Sequence, residues 1–238
     1  MEKLKDKNVL VVGATGSIGE QTVKYLSQSG AIIFVTSRDV LKLAELSLKY
    51  DIPTSRQFIM DITSAQNIAD VSLKIHETIQ SIDILVNAAG IGIIKQFEQL
   101  TDDDFRKSIE VNLIGPFHLL QAFLPKMKEQ KKGLIINIPG ILGKTPMAGA
   151  TAYSASKYGL NGMMKSLREE LKRTDIRITQ LYLGGVDSSF WDTIDLRVQR
   201  DKMILAEEAA KAIWFLCQQP ISGVVSEMVI QPFNHQVI

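Results

Sequence analysis

An apolar run, Asn8-Val-Leu-Val-Val12, meets Gly13-Ala-Thr-Gly16-Ser-Ile-Gly19 with no residue between them, and the glycines lead directly into a helical pattern carrying Val23 and Leu26 up to Gly30. No other stretch restricts the fold as much. Strand, glycine turn and helix in immediate succession open a βα unit of the nucleotide-binding kind. Glycines let a backbone approach a pyrophosphate closely, and the new helix aims its unpaired N–H groups and positive dipole end at the phosphates. On that reading Gly13, Thr15, Gly16, Ser17, Ile18 and Gly19 form a phosphate-binding loop. The plainer reading is a tight glycine turn with no ligand.

The pattern then repeats. Ala31-Ile-Ile-Phe-Val-Thr36 reads as a second strand ending in Ser37-Arg38-Asp39. A carboxylate at this turn would bond the ribose 2′-hydroxyl of NAD, whereas an arginine pairs with the 2′-phosphate of NADP. Ser37 and Arg38 therefore favour NADP(H) over NAD(H), and Asp39 reads more simply as a capping residue of a helix Val40–Lys49. Arg56–Met60 is a third strand ending at Asp61-Ile62-Thr63, and a polar helical stretch spans Ser64–Gln80. Ile82–Val86 is a fourth strand running into Asn87-Ala88-Ala-Gly90, and Gly133–Asn137 a fifth. Arg177–Leu183 is a sixth, ending in Gly184-Gly-Val186-Asp-Ser188, and Val224–Ile230 a seventh after a helix Ala206–Cys217.

Strands alternating with helices of this length call for an α/β fold: a doubly wound parallel sheet of seven strands with helices on both faces. With 238 residues and 45% hydrophobic composition, one domain spanning the whole chain suffices. Ligands in such sheets sit beyond the strands' carboxyl ends, where Asp61, Asn87 and Gly90 fall. Asn87 could equally be only a turn-former.

Charge narrows the partners. Lys and Arg (27) nearly cancel Asp and Glu (26), leaving +1 and no basic block, so nothing supports a nucleic-acid or membrane-surface partner and a small molecule is expected. The single cysteine, Cys217, sits in an apolar run and excludes an internal disulfide framework. Met1 to Asn8 is charged and enters the first strand without the apolar segment of a signal peptide, and no run reaches transmembrane length. A cytoplasmic protein is the expectation. Three scattered histidines, His76, His118 and His235, offer no metal-ligand spacing.

Two helices carry the chemistry. Tyr153 and Lys157 are one helical turn apart, so an ammonium lies beside a phenol whose ordinary pKa of about 10 it would lower toward working range. Taken alone, the pair is also what chance puts on many helices. From Thr101, a candidate N-cap followed by three aspartates, a long helix carries Phe105, Ile109, Leu113 and Phe117 at four-residue steps. Pro116 should deprive the Asn112 carbonyl of its helical partner, freeing it to hold a water, or it merely kinks the helix.

Assembled, the chain resembles the short-chain dehydrogenase/reductase family in its compact form, over essentially its whole length. The glycine loop, Asn87-Ala-Ala-Gly90, Val111-Asn112, Asn137, Tyr153-x-x-x-Lys157 and Gly184-Gly-Val-Asp-Ser188 stand in that family's order. The resemblance implies strand order 3-2-1-4-5-6-7 and a ketone or aldehyde interconverted with an alcohol. Tyr153 would be the general acid/base and Lys157 would hold the nicotinamide ribose. Asn112 would link Lys157 to solvent through its main chain and a water. Asp61 and Ile62 would flank the adenine, Asn87 the ribose, and Val186 with Ser188 the carboxamide, with Ala88, Gly90 and Gly184 as further cofactor-binding positions.

The family also places a serine thirteen positions before the tyrosine, where this chain has Gly140 within Pro139-Gly140. A missing donor of this kind costs on the order of 10²–10³ in rate. That leaves an enzyme with weak activity, one whose donor is Thr145, Thr151, a water or the substrate, or an NADP(H)-binding sensor or scaffold that has given up catalysis. Gly140→Ser is expected to raise turnover. Ser17 replaces the usual middle glycine, and Leu183 the usual proline.

A substrate flap is expected around Ser189–Leu205, with Phe190, Trp191 and Met203 facing Ile93, Ile141, Leu142 and Met147, an apolar lining suited to a hydrophobic carbonyl or alcohol. Arg197 and Arg200 read as a solvated face rather than a contact to an acidic group. Small and apolar residues on two faces of the Ala152–Arg173 helix point, with the family's habit, to a homodimer or homotetramer.

Overall fold

The computed structural model describes residues 3–220 and 222–236; the expected charged lead-in at Met1 and Glu2 lies outside them. Strand β1 (Asn8–Val12) alternates its side chains between two faces, and from Val9 onward both are buried. Val9 and Val11 join one core, Leu10 and Val12 the other. A strand buried on both sides needs cover on both sides. Helices α1 (Ser17–Gln28), α2 (Val40–Lys49) and α7 (Ala206–Cys217) supply one layer through Val23, Leu46 and Ile213. Helices α3 (Ala65–His76), α5 (Gly115–Glu129) and α6 (Thr151–Leu171) supply the other through Ile68, Phe123 and Met164.

The remaining strands are β2 (Ile32–Ser37), β3 (Gln57–Ile59), β4 (Ile84–Asn87), β5 (Lys132–Asn137), β6 (Asp175–Leu183), β7 (Val186–Asp187), β8 (Ile204–Leu205) and β9 (Glu227–Ile230). All but β7 and β8 form one parallel sheet in the order β3-β2-β1-β4-β5-β6-β9. This is the expected 3-2-1-4-5-6-7 arrangement, since β7 and β8 pair only with each other. The register aligns the strand ends: Val12 lies opposite both Thr36 and Asn87, Asn87 opposite Asn137, and Asn137 opposite Gln180. The first, second, fourth and fifth strands thus stop on a common rim.

Local chemistry sets the helix starts. Asp39 Oδ1 accepts from Lys42 N at 3.0 Å, so that carboxylate is spent capping α2. Thr101 opens α4 (Asp102–Ile109) in a capping box with Asp104. The interruption expected near Asn112 and Pro116 is a π turn, Glu110–Ile114, in which Gly115 N donates five residues back to Glu110 O. Pro116 brings no N–H to the next turn, and the chain widens just before it without breaking the run from α4 to α5. Helix α3 stops at His76, short of the expected Gln80, because Thr78 and Ile79 both turn back to Ile75 O. The last strand starts at Glu227, three residues later than expected.

Candidate functional site

Beyond the end of β1, Gly13 turns with φ +74°, and a Cβ there would stand 2.8 Å from Ala89 N. One added to Gly19 would stand 2.2 Å from Gly13 O. The turn is closed tightly on backbone at both points. Gly16 caps α1 without a side-chain bond; Gly16 N donates to Gly13 O and Glu20 N to Gly16 O. The N–H groups of Ser17, Ile18 and Gly19 therefore have no partner among the described residues, as the first turn of a helix dictates. Three converging donors at a positive helix end fit a pyrophosphate.

The second strand's end is organised around Ser37. Its Oγ lies 2.7 Å from Thr15 Oγ1 and accepts from Asp39 N at 3.1 Å. Arg38 is exposed, and its guanidinium makes no hydrogen bond or ion pair among the described residues. Asp61 Oδ1 accepts from Thr63 N (2.9 Å) and Thr63 Oγ1 (2.8 Å), which hold its carboxyl below the ordinary carboxylate range, with Arg38 adding a smaller pull. Ile62 is buried against the π turn, where a Cβ on Gly115 would meet it at 2.7 Å.

At the end of β4, Asn87 Nδ2 donates to Asn137 Oδ1 at 3.1 Å and Asn87 Oδ1 accepts from Ala89 N at 3.3 Å. Its amide ties two strands together and shapes the turn through Ala88, whose N donates to Val12 O. Asn112 acts on the same loop from the π turn. Its Oδ1 accepts from Ile91 N and its Nδ2 donates to Ile91 O, both at 3.0 Å, and Nδ2 also reaches Ser156 Oγ at 3.1 Å and Ser108 Oγ at 3.4 Å. All three polar side chains are fully buried. Sequence alone assigns Asn112 only a main-chain role. The spacing of Ser108, four residues before it on one helical face, was the available signal for the rest.

Gly90 lies between Asn112 and Lys157: a Cβ there would be 3.1 Å from Asn112 Oδ1 and 3.4 Å from Lys157 Nζ. Lys157 is only 4% exposed, and its Nζ donates to Ile138 O at 3.1 Å and lies 5.5 Å from the centre of the Tyr153 ring. An ammonium has three donors and this one has one acceptor, so two remain for a ligand. Burial disfavours its charge and brings its pKa down to about 8. Burial pushes the Tyr153 phenol up. The expected lowering of that phenol by Lys157 is therefore not what this arrangement produces without a ligand: desolvation outweighs the neighbouring amine, itself readily neutralised.

Beyond the end of β5, Gly140 has φ +68° and ψ 171°, a combination essentially confined to glycine. A Cβ built there would stand 3.8 Å from Tyr153 Oη, so the position faces the phenol but its backbone does not suit a side chain. Gly140→Ser is accordingly expected to cost about 1–3 kcal/mol of stability through that strain, read as a lower denaturant midpoint. An unchanged midpoint would show that the loop readily adopts another backbone. The expected gain in turnover thus carries a structural cost that sequence could not reveal.

A cavity of about 720 Å³ opens beside Tyr153, walled in part by Ile141, Leu142, Met147, Phe190, Trp191 and Met203. Ile94 lines it and Ile93 does not, a one-residue correction. Thr145 is on the wall; Thr151, at the start of α6, is not. The flap is held by contacts that residue order does not disclose. Ser189 N donates to Ser17 Oγ at 3.2 Å, and Phe190 stacks 5.7 Å from Tyr153 while covering Gly92, where a Cβ would strike its ring at 2.1 Å. Gly184 N donates to Ile230 O, and Val186 O accepts from Trp191 Nε1 at 2.9 Å and from Ser188 Oγ at 3.3 Å. His235 lines the cavity, His76 stacks on Phe123, and His118 lies beside Phe117.

A seven-stranded doubly wound sheet with a tight glycine turn at β1, and with a half-buried Tyr153 beside a buried Lys157 beyond β5, defines a Rossmann-like protein. The profile described as short chain dehydrogenase matches residues 7–198, and the chain belongs to that family. An "uncharacterized oxidoreductase" of Staphylococcus epidermidis is 32% identical over 98% of this chain and 100% of its own length. A metagenomic short-chain oxidoreductase solved in complex with NADP is 29% identical, with TM-score 0.84 over 98% of this chain and 100% of that one. An alcohol dehydrogenase from the archaeon Thermococcus sibiricus, 24% identical with TM-score 0.87 over 98% and 99%, shares the fold.

Proposed function

We propose that the protein is an NADP(H)-dependent oxidoreductase that interconverts a ketone or aldehyde with an alcohol, Tyr153 serving as general acid/base. The observation that carries this reading is the buried Lys157 amine, held near the Tyr153 ring with two donors to spare. Bound NADPH would supply the hydride to the carbonyl carbon. As that C–H bond forms, Tyr153 Oη gives its proton to the carbonyl oxygen, and the phenol regains a proton from solvent. Lys157 binds the nicotinamide ribose and counters the burial that raises the phenol. Asn112 is assigned the solvent relay through its main chain, and through its side chain it fixes the Gly90–Ile91 turn.

Gly13, Thr15, Gly16, Ser17, Ile18 and Gly19 would take the pyrophosphate, Asp61 and Ile62 the adenine, Asn87, Ala88 and Gly90 the ribose side, and Gly184, Val186 and Ser188 the carboxamide. NADP is favoured over NAD because Arg38 is unpaired while Asp39 is committed to its cap, and the NADP complex of a 29% identical neighbour supports that choice. A cytoplasmic setting belongs to this reading, supported by the single free, buried cysteine. So does a homodimer or homotetramer, supported by exposed Phe105, Phe117 and Tyr158 and by the open space at Gly162.

One observation favours a second reading, an NADP(H)-binding sensor or scaffold: Gly140 offers no hydroxyl where it faces Tyr153. The deciding experiment follows NADPH oxidation over a broad carbonyl panel alongside NADPH fluorescence enhancement. Turnover supports the enzyme, binding without turnover the sensor, and no binding refutes both.

The amine also sets a pH dependence. Because Lys157 titrates near 8 in the free protein, NADPH affinity is expected to fall as pH rises through about 8, when the charge facing the ribose is lost. Calorimetric titration across that range checks it. A dependence that persists in Lys157→Met would assign the effect elsewhere.

A further inference from the structure

Among the described residues the wall of the Tyr153 cavity carries no Asp or Glu, but it does carry Arg197 and Lys202, with His235 nearby on the same wall. Neither the Arg197 nor the Lys202 side chain makes a hydrogen bond or ion pair with any described residue. Their neighbour Arg200 is the opposite case. It is held by Asp192 Oδ1 at 2.5 Å, Asp187 Oδ1 at 3.6 Å and Ser188 O at 2.6 Å, and it does not line the cavity. The flap thus consumes Asp187 and Asp192 in fixing its own shape, while Asp195 and Asp201 lie off the cavity wall. Two uncompensated cations remain on a wall that combines apolar residues such as Ile141, Leu142, Met147 and Trp191 with the neutral polar side chains of Thr145, Gln199 and Asn234. Both residues are exposed to solvent as well as lining the cavity, and an anionic group there gains charge-assisted hydrogen bonds that a neutral one cannot make.

We infer that the substrate of this site is an oxo acid: a carbonyl compound with an apolar body and, at its far end, a carboxylate or phosphate group received by Arg197 and Lys202. This deepens the proposed carbonyl reduction and rests on it for the reacting end. By sequence, Arg197 and Arg200 read together as a solvated face; the structure separates them, one committed and one free.

The test compares ω-acetylhexanoate, its methyl ester and ω-acetylhexyl phosphate as substrates with NADPH at low ionic strength. The wild-type protein is expected to favour the acid or the phosphate over the ester in kcat/KM by about tenfold or more, the size of one retained charge-assisted hydrogen bond. Whichever anion is preferred identifies the group. In Arg197→Gln/Lys202→Gln that ratio is expected to collapse toward one, and in Arg197→Glu/Lys202→Glu to invert. Equal use of acid, phosphate and ester by the wild type, or a preference surviving both double variants, would overturn the inference.

Octanoate binding to the NADPH complex, followed by calorimetry, supplies a readout without turnover. Binding lost in the Gln variant, with no carbonyl reduced, would leave the anion site standing and defeat the reduction. Tyr153-dependent turnover with octanoate unbound and ester equal to acid would do the reverse.

Discussion

Tyr153→Phe is expected to reduce carbonyl turnover by about 10²–10⁴, the usual contribution of a positioned proton donor, while leaving NADPH binding in place. The substitution removes one oxygen and little else: the ring keeps its contact with Phe190 and its place beside Lys157. With no side chain on Gly140, the phenol is the group we assign to hold the substrate oxygen. Any substrate panel that reports wild-type turnover suffices for the comparison. Turnover unaffected by the change would reject Tyr153 as the acid.

Gly19→Ala is expected to weaken NADPH binding by about 10–100-fold, the worth of one hydrogen bond to a charged group, and to lower stability as overpacking does. The new methyl would lie 2.2 Å from Gly13 O and 2.9 Å from Ala14 Cα. Both obstacles are backbone, so the turn itself must open. That motion displaces the N–H groups of Ser17, Ile18 and Gly19, whose convergence is what a pyrophosphate would use. Gly162→Ala is the matched control, since a Cβ there meets nothing within 4 Å and the position lies outside the loop. Equal NADPH affinities for the two variants would mean that the cradle does not bind the phosphates.

Much of the fold is legible in the sequence because it is local or periodic. Runs such as Val9 to Val12 are apolar without alternation, which only a strand covered on both faces can satisfy. Asp39 and Thr101 announce their helices by residue type and position, and each makes the cap expected of it. The features that escape are those in which distant segments meet. Nothing in the order of residues joins Ser17 to Ser189, or sets Phe190 over Gly92. The left-handed backbone at Gly140 is likewise a property of the folded loop, and it turns an apparently simple Ser-for-Gly exchange into a rebuilt turn. Charge pairing is equally hidden, since Arg197 and Arg200 lie three residues apart yet only one finds carboxylates. The spacing of Tyr153 and Lys157 does bring amine and ring together, but the balance between burial and neighbouring charge depends on a density of packing that spacing does not convey.

The central claim is that a hydride passes from the bound cofactor to a carbonyl carbon held at Tyr153. It is tested most directly by single-turnover reactions with NADPH deuterated on the nicotinamide ring, reading deuterium on the carbinol carbon of the product. The wild-type protein should deliver one deuterium, as deuteride, from one face of the ring, and Tyr153→Phe essentially none in the same time. Product without deuterium from either face, or equal transfer by the Phe variant, would contradict the account.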